Sequence, residues 1–313
     1  MRRYILHRLV QLIPILLGIT LLTFAMMRLA SGDAVEAMYE NLGTSVSQDI
    51  IDAKRAELGL DKPFFVQYFT WLWGVVRGDM GTSYISGQRV FETFVSKLPN
   101  TILLTVSSIL LTVAVSIPLG VLSAVRHNRA ADYVIRFLSF IGNSLPNFFV
   151  SLLLLLVFAV KLEWLPVIST GGGLTGLLLP TLTLTIAMAA KYTRQVRSTV
   201  LEELGKEYVA GARARGVRES VILYASVLKA SMLTILTLLA LSIGSLLGGT
   251  AIVESIFLFD GVGKLAVDAI TMRDYPMIQA YVMWMAIIYV LVNLCTDLLY
   301  RRLDPRVRLG EEG

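Results

Sequence analysis

Residues 201–231, LEELGKEYVAGARARGVRESVILYASVLKAS, form a charged segment set between two long apolar runs. Written on a helix from Leu201 to Arg215, the residues Leu201, Gly205, Tyr208, Ala212 and Arg215 recur at the 3.6-residue period, with Glu202, Lys206 and Arg213 spread around them. The apolar strip is narrow and built from small groups. Gly205, Gly211 and Ala212 permit close backbone approach, and Tyr208 offers one bulky anchor of the kind favoured at binding hot spots. Gly216 can supply the left-handed position that ends a helix, so Val217 onward starts a second one. A rigid elbow is expected, in which a push on the first helix moves the second and, through Lys229, the next apolar run. The competing reading is a basic helix resting on anionic lipid, where each basic residue contributes on the order of 1 kcal/mol. The small-residue strip speaks against it, since a lipid-facing helix offers bulky apolar groups.

The two flanking runs belong to a strongly apolar chain. Its 313 residues are 55% hydrophobic and only 16% charged, with a mean hydropathy of +0.69, where a soluble domain sits near about a quarter charged. An integral membrane protein follows. The net charge of +5 falls in short clusters beside apolar runs, as orientation signals do, so nucleic acid is not expected as a partner. One cysteine, Cys295, excludes a disulfide framework and a Cys-based metal site, and its apolar surroundings mark it as a small buried hydrophobe. The N-terminal basic flank and apolar run lack a small-x-small cleavage site, which makes a retained first helix of a leader-like start.

Six segments reach the roughly 20 residues a bilayer requires: about 9–30, 99–125, 134–160, 174–195, 230–253 and 277–299. Arg2, Arg3 and Arg8 precede the first; Arg126, Arg129 and Arg136 bracket the turn from second to third; Lys191, Arg194 and Arg197 lead into the opening segment; Arg301, Arg302, Arg306 and Arg308 follow the sixth. All lie on one side, which the positive-inside rule makes cytoplasmic, with both termini inside. The expected organisation is a first membrane helix at 1–30, an extracytoplasmic loop with short helices at 31–98, and a five-helix core at 99–313 containing the inner loop at 196–231. Within the outer loop, Ser47 can cap a helix through QDIIDAKRAEL that stops at Gly59, and Pro63 can open a second, PFFVQYFTWLWGVV. The aromatics of that second helix, Phe64, Phe65, Tyr68, Trp71 and Trp73, suit either a membrane interface or packing on the bundle.

Breaks inside the spans fit a moving transporter and also a static bundle. Pro118 and Gly120 lie within the second span, and Ser144, Pro146 and Asn147 interrupt the third. Gly171, Gly173 and Gly176 match G-x-G-x-x-G, but follow a membrane helix rather than a strand, so the match is accidental. In the fifth span Ala240, Gly244 and Gly248 share one line with Ser245 and Gly249 beside it, a small-xxx-small stripe for helix packing. Glu254 and Asp260 follow near the membrane edge, where solvation and a structural role are expected of Glu254. Asp297 is placed to pair with Arg301 four residues on.

Catalytic signatures are missing. There is no H-E-x-x-H, C-x-x-C or G-x-S-x-G, and GVGKL at 261–265 lacks the earlier Gly of a P-loop and has Leu265 in place of Ser or Thr. No catalytic residue, metal ligand or cofactor is therefore assigned, and energy must come from an ion gradient or a partner. The middles of the spans contain essentially none of the carboxylates or basic groups that ion coupling uses. A cytoplasmic partner docking on 201–231 is the preferred alternative.

Here the chain resembles the membrane permeases of bacterial binding-protein-dependent ABC importers, in the dipeptide/oligopeptide/nickel branch. EYVAGARARG is similar to the family's inner-loop motif E-A-A-x-x-x-G, with Ala210, Gly211, Ala212 and Gly216 at its defining places. RRYILHRLVQLIPILLG, LGLDKPFFVQYFTWL, GDMGTSY, SLPNFF, GGTAIVESIF, RDYPMIQAY and LDPRVR extend the resemblance nearly end to end. The chain departs from the family at Ser226, Lys229, Ala230 and Ser231, where His-x-Leu-Arg-Asn-Ala is usual. The resemblance implies a coupling helix with Glu207, Tyr208, Ala210, Gly211, Ala212, Arg213 and Gly216 as ATPase-coupling residues, seated on cytoplasmic ATP-binding subunits. It further implies a second homologous permease subunit, an extracytoplasmic solute-binding protein, and residence in the bacterial inner membrane. Nickel, as a chelate, or di- and oligopeptides are the implied cargo, with QYFTWL and RDYPMIQAY leaning toward the nickel members. An ion-coupled secondary transporter or a non-transporting scaffold are the other classes; gradient-driven uptake without any ATPase would mark the first, and absence of an uptake defect on deletion the second.

Overall fold

A computed structural model of the chain describes residues 2–29, 33–41, 43–168 and 173–303. In chain order the helices are α1 (Arg2–Leu29), α2 (Ala34–Asn41), α3 (Gln48–Glu57), α4 (Phe64–Val76), α5 (Val90–Val125), α6 (Ala130–Ser144) and α7 (Asn147–Leu154). They continue with α8 (Leu174–Leu204), α9 (Glu207–Ala214), α10 (Glu219–Val221), α11 (Leu228–Ile256), α12 (Val262–Met272) and α13 (Tyr275–Leu303). Leu155–Lys161 and Ile222–Val227 are π-helical, the wider coil that takes up an extra residue. Among the described residues the β pairing is a lone bridge between Thr82 and Arg89.

Among the described residues, four helical stretches are long and apolar enough to cross a membrane: Ile5–Leu29, Val90–Val125, Glu219–Thr237 and Tyr275–Leu298. A fifth is counted if Ala130–Ser144 and Asn147–Lys161, bent by 102°, act as one span. Helix does cover the expected fourth and fifth segments, through α8 and α11. The expected interruption of the third span at Ser144–Asn147 is real and sharper than a kink. Pro146 has no N–H to donate and disfavours helix in Leu145, whose ψ is 130°.

The chain divides into two compact units, 1–101 with 260–291 and 102–259 with 292–313. In the first, α3 ends as expected at Gly59 (φ 66°), whose N–H reaches Ala56 O while that of Leu60 reaches Arg55 O. Ser47 holds the N-cap position of α3 without making a side-chain bond, and Pro63 precedes α4. The α4 aromatics divide between two faces, one of which takes the expected packing role. Tyr68 is buried against Phe24 and bonds Thr20 through its hydroxyl at 3.0 Å, whereas Phe65, Phe69 and Trp73 stay exposed. Asp274 caps α13 and receives Ser83 Oγ and Tyr84 N, tying the 79–90 loop to that helix start. GVGKL forms the first turn of α12, with Lys264 paired to Asp268, and Asp260 pairs with Lys97.

In the second unit a core of Leu104, Leu177, Leu179, Leu184, Leu246, Val253 and Phe257 occupies one part, and a second core around Val196 another. Three expectations change. Glu254 is fully buried rather than solvated, because α11 continues to Ile256 and carries it inward. Cys295 is exposed, since it lies on the outward side of α13 between buried Leu294 and Thr296. Gly120 serves packing: a Cβ there would lie 2.6 Å from Val196 Cβ and 2.9 Å from Thr193 O. Gly244 is buried, while the surroundings of Ala240, Ser245, Gly248 and Gly249 lie outside the described residues, as do Gly171 and the Arg301 side chain.

Candidate coupling surface

The inner segment is built differently from the single helix Leu201–Arg215. Residues 201–204 are the end of α8, Gly205 closes that helix, and Lys206 (φ −76°, ψ 152°) turns the chain before α9 begins at Glu207. Glycine is a poor helix interior residue, and Glu207 in the first turn favours a new start through the helix dipole. Lys206 pairs with Glu203 across the break. Tyr208 donates its hydroxyl to Glu203 Oε2 at 3.0 Å; partial desolvation and this carboxylate together push its pKa up, so the phenol stays neutral.

At the other end α9 stops in the expected way. Gly216 has φ 77°; its N–H bonds Arg213 O at 2.9 Å, and Val217 N–H bonds Ala212 O at 3.2 Å. These two bonds satisfy helix-end carbonyls in the pattern that a left-handed glycine makes possible. Arg213 Nε reaches Glu219 Oε1 at 2.7 Å, closing a bridge over the bend from α9 to α10. From Glu219 the helical path runs through Ile222–Val227 into α11, so the second arm of the elbow is continuous with the next long helix.

What holds α9 in place is Val209, which the sequence pattern left out. It is fully buried in a core with Val121, Ala124, Tyr192, Val196, Val200, Ile222, Val227, Ile235 and Leu239, and Ala212 packs half-buried against the same group. The segment thus shares a core with residues of α5, α8 and α11, and it packs against Ile222–Val227. Burying a valine is worth on the order of 1.5–3 kcal/mol. Its signal was available: Val209 is the lone branched aliphatic residue between Leu204 and Val217. Opposite it, Glu207, Tyr208, Ala210 and Arg213 are exposed and Gly211 is half-exposed. At Gly211 an added Cβ would make only an ordinary 3.5 Å contact with Arg215 Nη1, so nothing within the chain demands glycine there.

A second feature missed in the sequence braces the base of this surface. Asp132, fully buried at the start of α6, accepts Arg197 Nε at 2.7 Å and Nη2 at 2.8 Å, Ser123 Oγ at 2.5 Å and Asn128 N at 3.0 Å. The carboxylate is fully occupied, as a buried charge must be. This pair joins the α5–α6 turn to α8 one turn before Leu201. Opposite charges 65 residues apart carry no local pattern that announces their pairing. The described residues hold no group of three or more His, Cys, Asp or Glu side chains able to bind a metal.

Comparison with known proteins places this arrangement. Residues 116–309 match the family described as "Binding-protein-dependent transport system inner membrane component", and residues 1–105 match its N-terminal counterpart. The oligopeptide transport system permease protein AppB of Bacillus subtilis is 41% identical over 320 residues, covering 98% of this chain and 99% of that one. The glutathione transport system permease protein GsiC of Salmonella typhi is 36% identical over 308 residues, with coverages of 98% and 99%. A solved chain of the MetNI methionine ABC transporter, in inward-facing conformations, superposes with a TM-score of 0.57 at 17% identity, over 68% of this chain and 96% of its own, a likeness of fold. The expected resemblance therefore holds: the chain is a multi-pass inner-membrane protein and belongs to the family of binding-protein-dependent transport system inner membrane components, the ABC importer permeases of the peptide group.

Proposed function

We propose that this chain is the membrane-spanning subunit of an ATP-driven importer for di- or oligopeptides, itself non-catalytic, and that α9 is where an ATP-binding subunit docks. The observation that carries this is the division of α9 into a fastened side, Val209 and Ala212, and a free side of small and polar groups, Glu207, Tyr208, Ala210, Gly211 and Arg213. A displacement applied to the free side is passed first to Ile222–Val227, which α9 contacts and which runs on into α11, and from there to the core that Val209 shares with residues of α5 and α8. Gly211 leaves room for a partner backbone where the chain's own packing asks for none. The membrane topology proposed is six spans with both termini cytoplasmic, a second permease subunit completing the path, and a solute-binding protein delivering cargo outside. The peptide assignment is supported by relatives named for oligopeptide and glutathione transport, names that give nickel no specific support.

The test uses the permease coexpressed with its ATP-binding subunits and reconstituted with its binding protein. Ala210→Glu places a charge on the free side without touching the buried one. Loss of ATP-binding subunits on purification and of peptide-stimulated ATP hydrolysis is expected, with the permease itself folded by size-exclusion profile. Retained stoichiometry and stimulation in both Ala210→Glu and Tyr208→Ala would remove α9 as the docking element. Uptake that persists without ATP but collapses with the proton or sodium gradient would instead establish the ion-coupled class.

A further inference from the structure

We infer that the outer face of α6 and the adjoining end of α8 form a binding site for the phosphate headgroup of an anionic phospholipid. A cavity of about 460 Å³ is lined by Tyr133, Arg136, Phe137 and Phe140 of α6 and by Arg194 and Arg197 of α8. The α6 positions follow i, i+3, i+4, i+7, one helix face. Asp132, Ile135, Ser139 and Gly142 form the opposite, buried face, where a Cβ on Gly142 would come within 3.0 Å of Ala190 Cβ. The chain thus spends one side of α6 on its own packing. On the other side Tyr133, Phe137 and Phe140 are 57%, 64% and 63% exposed, large aromatic groups that the chain itself leaves uncovered.

Charge decides what suits that side. Arg197 gives Nε and Nη2 to Asp132, which fixes its guanidinium plane and leaves the Nη1 donors for a ligand. Arg136 lies over the Tyr133 ring at 5.8 Å, and Arg194 stands three residues before Arg197 on α8. Three guanidiniums against one carboxylate leave a net charge of +2 at the cavity. Guanidinium presents planar, forked donors that match phosphate oxygens. The aromatic rims match acyl chains. A phospholipid supplies both chemistries in one molecule, and the excess charge favours a headgroup with two phosphates over one, and one over a zwitterion. Soluble phosphate would use only the cationic half. This site shares Arg197 with the brace described above and does not rest on the transport reading.

The experiment is native mass spectrometry of the assembled complex, delipidated in detergent and titrated with cardiolipin, phosphatidylglycerol or phosphatidylcholine. Retention is expected in that order. Arg136→Gln and Arg194→Gln, both at exposed positions, should each weaken cardiolipin retention about five-fold and roughly 25-fold together. Arg126→Gln, an exposed arginine outside the cavity, should leave it unchanged. Equal retention of phosphatidylcholine, or no effect of the double substitution, overturns the proposal. So does displacement of cardiolipin by millimolar inorganic phosphate beyond that of chloride at equal ionic strength, which would assign the site to a soluble anion. Loss of a protein subunit in the double variant with lipid retention intact would assign the face to a protein contact, and also overturns it.

Discussion

Gly216 and Gly120 are both required residues, for unlike reasons, and the difference is measurable. At Gly216 the space around an added Cβ is open, and only the left-handed backbone opposes it. Gly216→Ala should therefore cost about 1–2 kcal/mol, the ordinary penalty of an L-residue in that region, and loosen the bend locally. Amide exchange in residues 207–221 should rise while the α5 and α8 amides stay protected. At Gly120 the backbone is ordinary helix and the obstacle is matter. An alanine Cβ would meet Val196 Cβ and Cγ1 at 2.6 Å and Thr193 O at 2.9 Å. Gly120→Ala should lower detergent-solubilised stability by about 1–3 kcal/mol, the range for overpacking. Adding Val196→Ala should not restore it, because the Cβ that remains at 196 is itself one of the clashing atoms. Full restoration by that second substitution would show that the two helices separate easily, contrary to the close approach described.

Among the elements, the 79–90 loop packs on α13 through Met80 and is tied to the start of that helix by a carboxylate whose proton matters. Asp274 is buried, and burial pushes its pKa above the usual carboxylate value despite the bonds from Ser83 Oγ and the amides of Tyr84 and Met277. A folded-state pKa raised above the unfolded value means that protonation favours the folded state. The associated stability is greatest below the unfolded pKa and is lost as pH rises through the folded one. Acidification from neutral should thus slow amide exchange in 80–90, after correction for the intrinsic rate, and Asp274→Asn should abolish the dependence; faster exchange at acid pH would mean that the charged form is the one the loop prefers. Nothing in the sequence marks this tie, which spans 191 positions. The helices themselves were legible where local chemistry acts: the stop at Gly59, the start after Pro63, the break at Pro146 and the left-handed Gly216 all follow from backbone preferences of single residues. The split at Gly205 was not, since a 3.6-residue period continues smoothly across a two-residue interruption. Nor was the row of buried hydroxyls on α5, Thr105, Ser108, Thr112, Ser116 and Ser123, because Ser and Thr in an apolar run read as tolerated exceptions rather than as the packed face. Val209 was overlooked in favour of the larger Tyr208, although size does not decide which side of a short helix turns inward.

For the whole molecule, the compartment of α9 turns on whether α6 and α7 cross the membrane once or turn back within it. Their 102° bend at Leu145–Pro146 is compatible with either, and the two cases place α9 on different sides relative to the first loop. Between Asp61 and Tyr208 lie α4, which at 13 residues is too short to cross, then α5, the α6–α7 pair and α8, and the proposed six-span arrangement has α5 and α8 cross once each. If the pair makes one crossing, three crossings separate the two positions and they face opposite compartments. If the pair is re-entrant, two crossings separate them and they face the same one. The single native cysteine, Cys295, can be replaced by Ser, and Asp61→Cys and Tyr208→Cys introduced one at a time at exposed positions. The proposed six-span arrangement predicts that a membrane-impermeant maleimide labels Cys at 61 in intact spheroplasts and Cys at 208 only in inverted vesicles. Labelling of both from the same side would make the α6–α7 pair a hairpin within the bilayer. If that shared side is the outer one, α9 is also away from any cytoplasmic ATP-binding subunit. The outcome therefore bears on the docking role of α9 as directly as on the topology, because a coupling surface can act only on the side where its partner resides.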